Sequence, residues 1–440
     1  AMIHSCIRPK TVPSLRRDVD IFAKDIPSMG YKLYKIKRIK GDPNGYPEPF
    51  PVGTFPHSSI AKSGNVLDNG ILKLKINSDG TLSVYDYETK TLHDNINSFT
   101  DTGCSGDFWV HREPFMNQTI SSKGFSTKIS LVRNSFLKAT YEIETKMEIP
   151  KSLNHNKEKR SSENTDLTIK TAVTLYANSK RVDFKTSILN MANEHMVCVN
   201  LPLNVMTNYA MAEAPFEIRK RDIGDITNIN GKCGDELRRF TIENFVDISD
   251  DDKGVTLITK GLKEVEVIKE ERVTINLTLL RSVSGTFPIH NDLFIGFENE
   301  TSQCIGEHVF EYALFFHKKE ENLQNVMKES KSYTAPLLSA EVGSGNGGTL
   351  PNITSFFKIN TAAVNMNCMK LSEDKNGIII RLNNPTAITK KCEISFLKNI
   401  KNAAKVKMNE EKICDLEIIN NGLNLEIIPY KIETIYVEFS

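Results

Sequence analysis

Asp101, Thr102, Gly103, Cys104, Ser105, Gly106, Asp107, Phe108, Trp109, Val110, His111 and Arg112 form the chemically densest stretch of this 440-residue chain. Two carboxylates, two glycines, the single tryptophan and a guanidinium sit in one short run. Glycine lets a backbone approach a ligand, aspartate accepts hydrogen bonds from sugar hydroxyls, and an aromatic ring covers the apolar face of a pyranose. Asp101 and Asp107 could form the acid/base pair of a retaining glycosidase, which needs carboxyl groups about 5 Å apart. The sequence leaves that separation open. The same residues equally suit a Gly-rich turn that leads into a strand with a core tryptophan.

Other chemistry is sparse. The nine histidines include no H-E-x-x-H pair. Glu307-His308 and His317 flank one strand, and their odd separation puts the two imidazoles on opposite faces, which argues against shared metal ligation. No nucleophile elbow or phosphate loop is present, and the glycines from Gly343 to Gly348 read as a linker. Cys6, Cys104, Cys198, Cys233, Cys304, Cys368, Cys392 and Cys414 show neither C-x-x-C nor zinc-ligand spacing. They are expected to be buried, reduced thiols, which favours the cytoplasm. N-x-S/T triplets at Asn117, Asn276, Asn299 and Asn352 carry little weight in a chain this rich in Asn and Thr. No basic and apolar leader is visible at the start, so no secretion signal is expected. With 56 Lys plus Arg against 55 Asp plus Glu, the net charge of +1 argues against nucleic acid or an anionic membrane as partner. No apolar run reaches the roughly 18–20 residues needed to span a bilayer.

The elements that must position these residues are strands. Ile71 to Ile76 alternates apolar and polar, Ser78-Asp79-Gly80 turns, and Thr81 to Tyr85 alternates again, which predicts a hairpin. Similar patterns cover 126–132, 139–149, 168–175, 182–189, 196–205, 239–248, 254–259, 264–268, 273–280 and 309–316, then 377–382, 392–397, 423–428 and 434–439. Strands at this spacing, with helix expected only at 320–330, predict an all-β sandwich architecture. The Pro/Gly-rich stretch 41–54 and the Gly-rich stretch 343–350 divide the chain into an N-terminal β segment and linker (1–54), a large β-sandwich (55–342), and a linker with a terminal β-sandwich (343–440). The polar run 152–164 reads as an exposed loop.

Beyond pattern, several strings resemble one family in order. DIPSMGYKLY at 25–34, LDNG at 67–70 with NSDGTL at 77–82, and FTD at 99–101 followed by GDF at 106–108 resemble the β-rich part of glycoside hydrolase family 38 α-mannosidases. LTLLRSV at 277–283, GEHVFEYALFFH at 306–317, KLSED at 370–374, IIRLNN at 379–384 and IPYKIETI at 428–435 continue that resemblance to the C-terminus. It implies a large mutarotase-like β-super-sandwich followed by a small terminal β-sandwich, and hydrolysis of α-mannosides by the whole enzyme.

The family's nucleophilic Asp, acid/base Asp and zinc ligands belong to an N-terminal catalytic domain for which the residues before Asp25 leave no room. The resemblance therefore implies no catalytic residue, no metal ligand and no cofactor in this chain itself, with zinc bound by the missing domain. Partners implied are an α-mannoside or oligosaccharide, that catalytic domain, and a possible second copy of the chain. Glu194-His195-Met196-Val197-Cys198 lacks the two arginines of the family's corresponding string, which puts the role of that strand in doubt. Substrate contacts are expected from Asp107, Phe108 and Arg281. The plainer alternative makes Phe108 core, Asp107 a cap of its own turn, and Arg281 an interdomain ion pair. A stand-alone carbohydrate-binding module and a mutarotase-like epimerase remain alternatives; the latter needs a His and Glu pair on one concave sheet, which His195, His308 and Glu307 do not readily supply.

Overall fold

A computed structural model describes residues 2–7, 17–35, 55, 59–108, 111–224, 239–284, 300–319, 323–342 and 348–440. The fold is all-β. The expected hairpin forms from Leu72–Ile76 and Leu82–Asp86, with side chains of the first strand alternating buried and exposed. Its turn needs Gly80 at φ +82°, and Asp79 caps it by accepting from the Thr81 N–H at 3.0 Å.

Two compact units emerge. The first groups 47–212 and 220–320. It holds a five-stranded sheet, a six-stranded sheet and a nine-stranded sheet whose long central members are Lys138–Pro150, Asn164–Tyr176, Arg181–Asn190 and Gly306–Lys318. Their inward residues share one core, among them Leu74, Phe99, Leu167, Val199, Leu277 and Tyr312. Tyr312 is fully buried, stacks on Phe184 with ring centres 5.0 Å apart, and satisfies its hydroxyl on Asn97 Oδ1 at 2.7 Å.

The six-stranded sheet positions the site. In chain order its strands are β1 (Ser98–Gly103), β2 (Ile120–Ser121), β3 (His195–Leu203), β4 (Arg239–Thr241), β5 (Glu264–Lys269) and β6 (Val273–Arg281). In space they run β2-β1-β3-β6-β5-β4.

The second unit groups 1–46, 213–219 and 321–440. A four-stranded and a five-stranded sheet enclose Ile380, Leu382, Ile394, Leu423, Ile435 and Val437. Its helix α1 spans Leu323–Thr334 and buries Val326, Met327, Ser330 and Tyr333.

Three sequence expectations are corrected. Helix α1 runs past 330 to Thr334, ending before Pro336, whose ring disfavours a helical predecessor. The stretch 239–248 is two strands in different sheets, β4 and Phe245–Ser249, because the chain leaves one layer for the other at 242–244. The loop 152–164 is not wholly exposed, since Arg160 has a side chain only 3% exposed. The Pro/Gly stretch 41–54, residues 343–347 and Trp109 lie outside the described residues.

Candidate functional site

The loop between β1 and β2 carries Asp107 and Phe108, and its stem is closed by a buried charge network. Asp101, on the core side of β1, is fully buried; its two oxygens lie 2.5 Å from His195 Nδ1 and 2.5 Å from Arg160 Nη2. His195 is itself fully buried, with Nε2 3.0 Å from Asn190 Oδ1. Both Asn190 Nδ2 hydrogens go to the carbonyls of Gln303 and Cys304, so Oδ1 is the accepting atom and His195 Nε2 donates to it. Arg160 Nη1 reaches the carbonyls of Asp101 at 3.3 Å and Gln118 at 3.2 Å, holding both ends of the loop with one guanidinium. Asn117 Oδ1 accepts from the Gly103 N–H at 3.0 Å, and Glu194 O accepts from the Cys104 N–H at 2.8 Å. A Cβ on Gly103 would crowd the stem, lying 3.0 Å from the Pro114 ring and 3.1 Å from Asn117 Oδ1 and from Leu153.

At the tip, Arg281 of β6 donates from Nη1 to the Asp107 carbonyl at 2.6 Å and from Nη2 to the Phe108 carbonyl at 2.8 Å. The three residues singled out in the sequence are thus brought together. Arg281 is a clamp on the loop and not an ion pair, Phe108 is 47% exposed and not core, and Asp107 is half-buried. Asp101 is spent on the stem, so it is not the partner of Asp107 in an acid/base pair.

Next to the tip, Cys104 Sγ and His111 Nδ1 lie 3.3 Å apart. Burial, reinforced by Arg239 and Arg281, pushes His111 down to about 4, and burial pushes the Cys104 thiol up. Both are therefore neutral at pH 7. A protonated thiol and imidazole beside two guanidinium cations do not fit zinc, and among the described residues no three His, Cys, Asp or Glu side chains converge.

Away from the core, the same sheet presents a face of polar side chains in three rows. Strand register sets Thr102, Met196 and Arg281 abreast; then Thr100, Cys198 and Thr278; then Ser98, Asn200, Asn276, Glu266 and Arg239. Thr278 Oγ1 donates to Glu264 Oε1 at 2.8 Å, extending the middle row, and Asn276 Nδ2 donates to Glu266 Oε2 at 3.1 Å. Arg239 spans the rows, reaching Glu266 Oε2 at 3.2 Å, Thr278 Oγ1 at 3.2 Å and Met196 Sδ at 3.7 Å. Positions 196 and 198 lack the expected arginines, and a guanidinium from β4 lies over them instead. Burial raises Cys198 to about 11, so it too is a thiol. Two guanidinium groups face two carboxylates here, so the face is rich in donors and acceptors yet balanced in charge.

Sequence reasoning missed Arg160 and these rows. Their signal was present: Glu264 and Glu266, and Asn276 and Thr278, are the polar members of two alternating strands and must share a face. The His and Glu pair sought for an epimerase does not form from Glu307 and His308, adjacent residues of which His308 bonds the Cys304 carbonyl at 2.8 Å.

Residues 67–286 match the profile described as glycosyl hydrolases family 38 C-terminal domain, and 363–435 match the family 38 C-terminal beta sandwich domain. A Halalkalibacterium halodurans protein described as "Putative mannosylglycerate hydrolase" is 24% identical over 340 residues, covering 73% of this chain and 36% of that protein. An alpha-mannosidase structure from Enterococcus faecalis superposes with a TM-score of 0.79 at 22% identity, covering all of this chain and 49% of that one. A second Enterococcus faecalis structure, of a family 38 protein, gives 0.78 at 21% over all of this chain and 50% of that one. The chain therefore spans half or less of these relatives.

Proposed function

Because the chain belongs to glycoside hydrolase family 38, as its C-terminal β region, we propose that it forms one wall of the sugar site of an α-mannosidase whose catalytic domain supplies the two carboxylates and the zinc. The observation that carries this reading is the Arg281 clamp, which holds the backbone of Asp107 and Phe108 at the edge of a charge-balanced polar face. On this reading Phe108 covers an apolar sugar face, Asp107 accepts from ring hydroxyls, and hydrolysis of α-mannosides proceeds only in the company of the catalytic domain. A cytoplasmic setting goes with it, supported by the unpaired thiols of Cys104, Cys198, Cys304, Cys368, Cys392 and Cys414.

The test joins this chain to its catalytic domain and measures aryl α-mannoside turnover. Asp107→Ala is expected to lower kcat/KM at least tenfold with little change in melting temperature, while the 440-residue chain alone shows no turnover with or without zinc. Normal turnover per folded molecule in the variant would make Asp107 structural. Zinc-dependent turnover by the chain alone would place the catalytic groups inside it.

A further inference from the structure

We infer that His195 is the positioning residue of the loop that carries Asp107 and Phe108, and that it acts as an imidazolium donating from both ring nitrogens. Its consequence for sugar binding rests on the wall reading above.

The hydrogen-bond directions around the ring leave one protonation state. Asn190 Nδ2 gives one hydrogen to the Gln303 carbonyl at 3.0 Å and the other to the Cys304 carbonyl at 2.9 Å, while Oδ1 accepts from the Ala192 N–H at 2.9 Å. Turning the amide over would set its oxygen against two carbonyl oxygens, so Oδ1 faces the imidazole and His195 Nε2 carries a hydrogen. Nδ1 lies 2.5 Å from Asp101 Oδ2. The other oxygen of Asp101 is held by Arg160 Nη2 at 2.5 Å, and an adjacent guanidinium favours the ionised carboxylate. A carboxylate has no hydrogen to give, so Nδ1 carries one as well. A neutral ring would leave a lone pair against Asp101 in one tautomer and against Asn190 in the other, a buried mismatch in either case.

The surroundings can hold the charge. Asp101, Asn190 and His195 are all fully buried. Two cations meet one carboxylate, and neutral oxygens take up the remainder: the carbonyls of Asp101, Gln118 and Pro150 on Arg160, and the Asn190 amide on His195. Of the elements packed around the ring, the turn before β3 and the loop 152–164 add Glu194 and Lys157, paired with each other at 3.0 Å. The segment 300–304 adds Cys304, a thiol pushed up by burial, and the end of β6 adds only the Ser282 hydroxyl.

Placement makes this ring a spacer between stem and clamp. The His195 N–H meets Ser282 Oγ at 3.1 Å, and its carbonyl accepts from the Ser282 N–H at 2.8 Å. Ser282 follows Arg281, which grips the loop tip, while Asp101 opens the stem. One residue therefore bonds to both ends of the grip and holds the loop in shape before a sugar arrives, which lowers the ordering cost of binding.

The experiment has a spectroscopic and a kinetic arm. Two-bond proton–nitrogen correlation NMR of the 440-residue chain at pH 7 should show both His195 nitrogens at the imidazolium position, the residue being identified by the signal lost in His195→Gln. Asp101→Asn is the conservative rescue. Its carboxamide accepts from Arg160 and donates to Nδ1, so His195 should become the neutral ring protonated at Nε2, with the fold intact by circular dichroism. A neutral His195 in the unaltered chain, or an imidazolium that persists in Asp101→Asn, would overturn the assignment.

For the kinetic arm the chain is joined to its catalytic domain and assayed on an aryl α-mannoside. His195→Gln, with one donor direction where two are needed, should raise KM at least fivefold with kcat within twofold, and Asp101→Asn should keep KM within twofold. A purely structural role would lower the amount of active enzyme, and so kcat, while leaving KM alone. An unchanged KM in His195→Gln beside a lowered kcat/KM in Asp107→Ala would overturn the positioning role and leave the wall standing. Unchanged kinetics in both variants would remove the wall reading and the positioning role together.

Discussion

Replacing Arg160 by Met should destabilise the first unit far more than a loop substitution ordinarily does. The guanidinium is 3% exposed and pairs with a carboxylate that is fully buried, while also serving the carbonyls of Asp101, Gln118 and Pro150. Methionine keeps the length and the apolar stem but leaves Asp101 charged and buried with His195 alone. Removing one partner of a buried ion pair costs about 3–5 kcal/mol, since the remaining charge keeps its desolvation penalty. For a unit of this size each kcal/mol moves the melting temperature by about 2–4 °C, so a fall of roughly 10 °C is expected. The assay is thermal unfolding followed by the emission of Trp109, the only tryptophan in the chain. The sharper arm is the double variant Asp101→Asn with Arg160→Met. With no carboxylate left to strand, it should lose clearly less than the sum of the two single losses. A shift of under about 1 kcal/mol in Arg160→Met, or strict additivity in the double variant, would refute the reasoning.

Two further outcomes follow from burial and crowding. His93 is 1% exposed, accepts from the Asn204 N–H at 3.0 Å, and is pushed by burial down to about 4. Its folded pKa lies below the unfolded value near 6.5, so its contribution is complete above pH 6.5 and is lost as pH falls toward 4, by about 3 kcal/mol in all. Urea titrations at pH 7 and pH 4.5 should show that loss shrinking in His93→Asn; an unchanged pH slope would dismiss the assignment. In the second unit, a Cβ on Gly377 would stand 2.6 Å from the Val437 carbonyl and 2.8 Å from the Tyr436 ring. Gly377→Ala should therefore cost this unit about 1–3 kcal/mol, read as a lowered melting temperature, whereas an unshifted melt would show that the backbone yields freely.

The all-β architecture was open to reading because alternation is a local property: Leu72, Leu74 and Ile76 declare a strand without reference to anything distant. Arg281 was singled out by resemblance, yet its role as a clamp depends on carbonyls more than 170 residues away in sequence, which no local pattern encodes. Arg160 was hidden for the opposite reason. It sits in a run of Asn, Lys, Glu and Ser whose composition says solvent, and only the buried Asp101 opposite it draws the side chain inward. Residues 239–248 misled because alternation persists through a change of layer: Phe240 faces the same core as Val246 and Ile248 from a different sheet, and Ile242 joins that core from the crossing between them.

The contacts that shape the loop span 59 residues to Arg160, 94 to His195 and 174 to Arg281. Contacts of such long sequence separation must wait until chain closure brings their partners together. During synthesis Asp107 and Phe108 therefore leave the ribosome long before the residue that clamps them exists. The binding geometry is a late product of folding, delivered with the strand that ends in Arg281. A polypeptide ending short of residue 281 would contain every residue of the loop and still lack its shape.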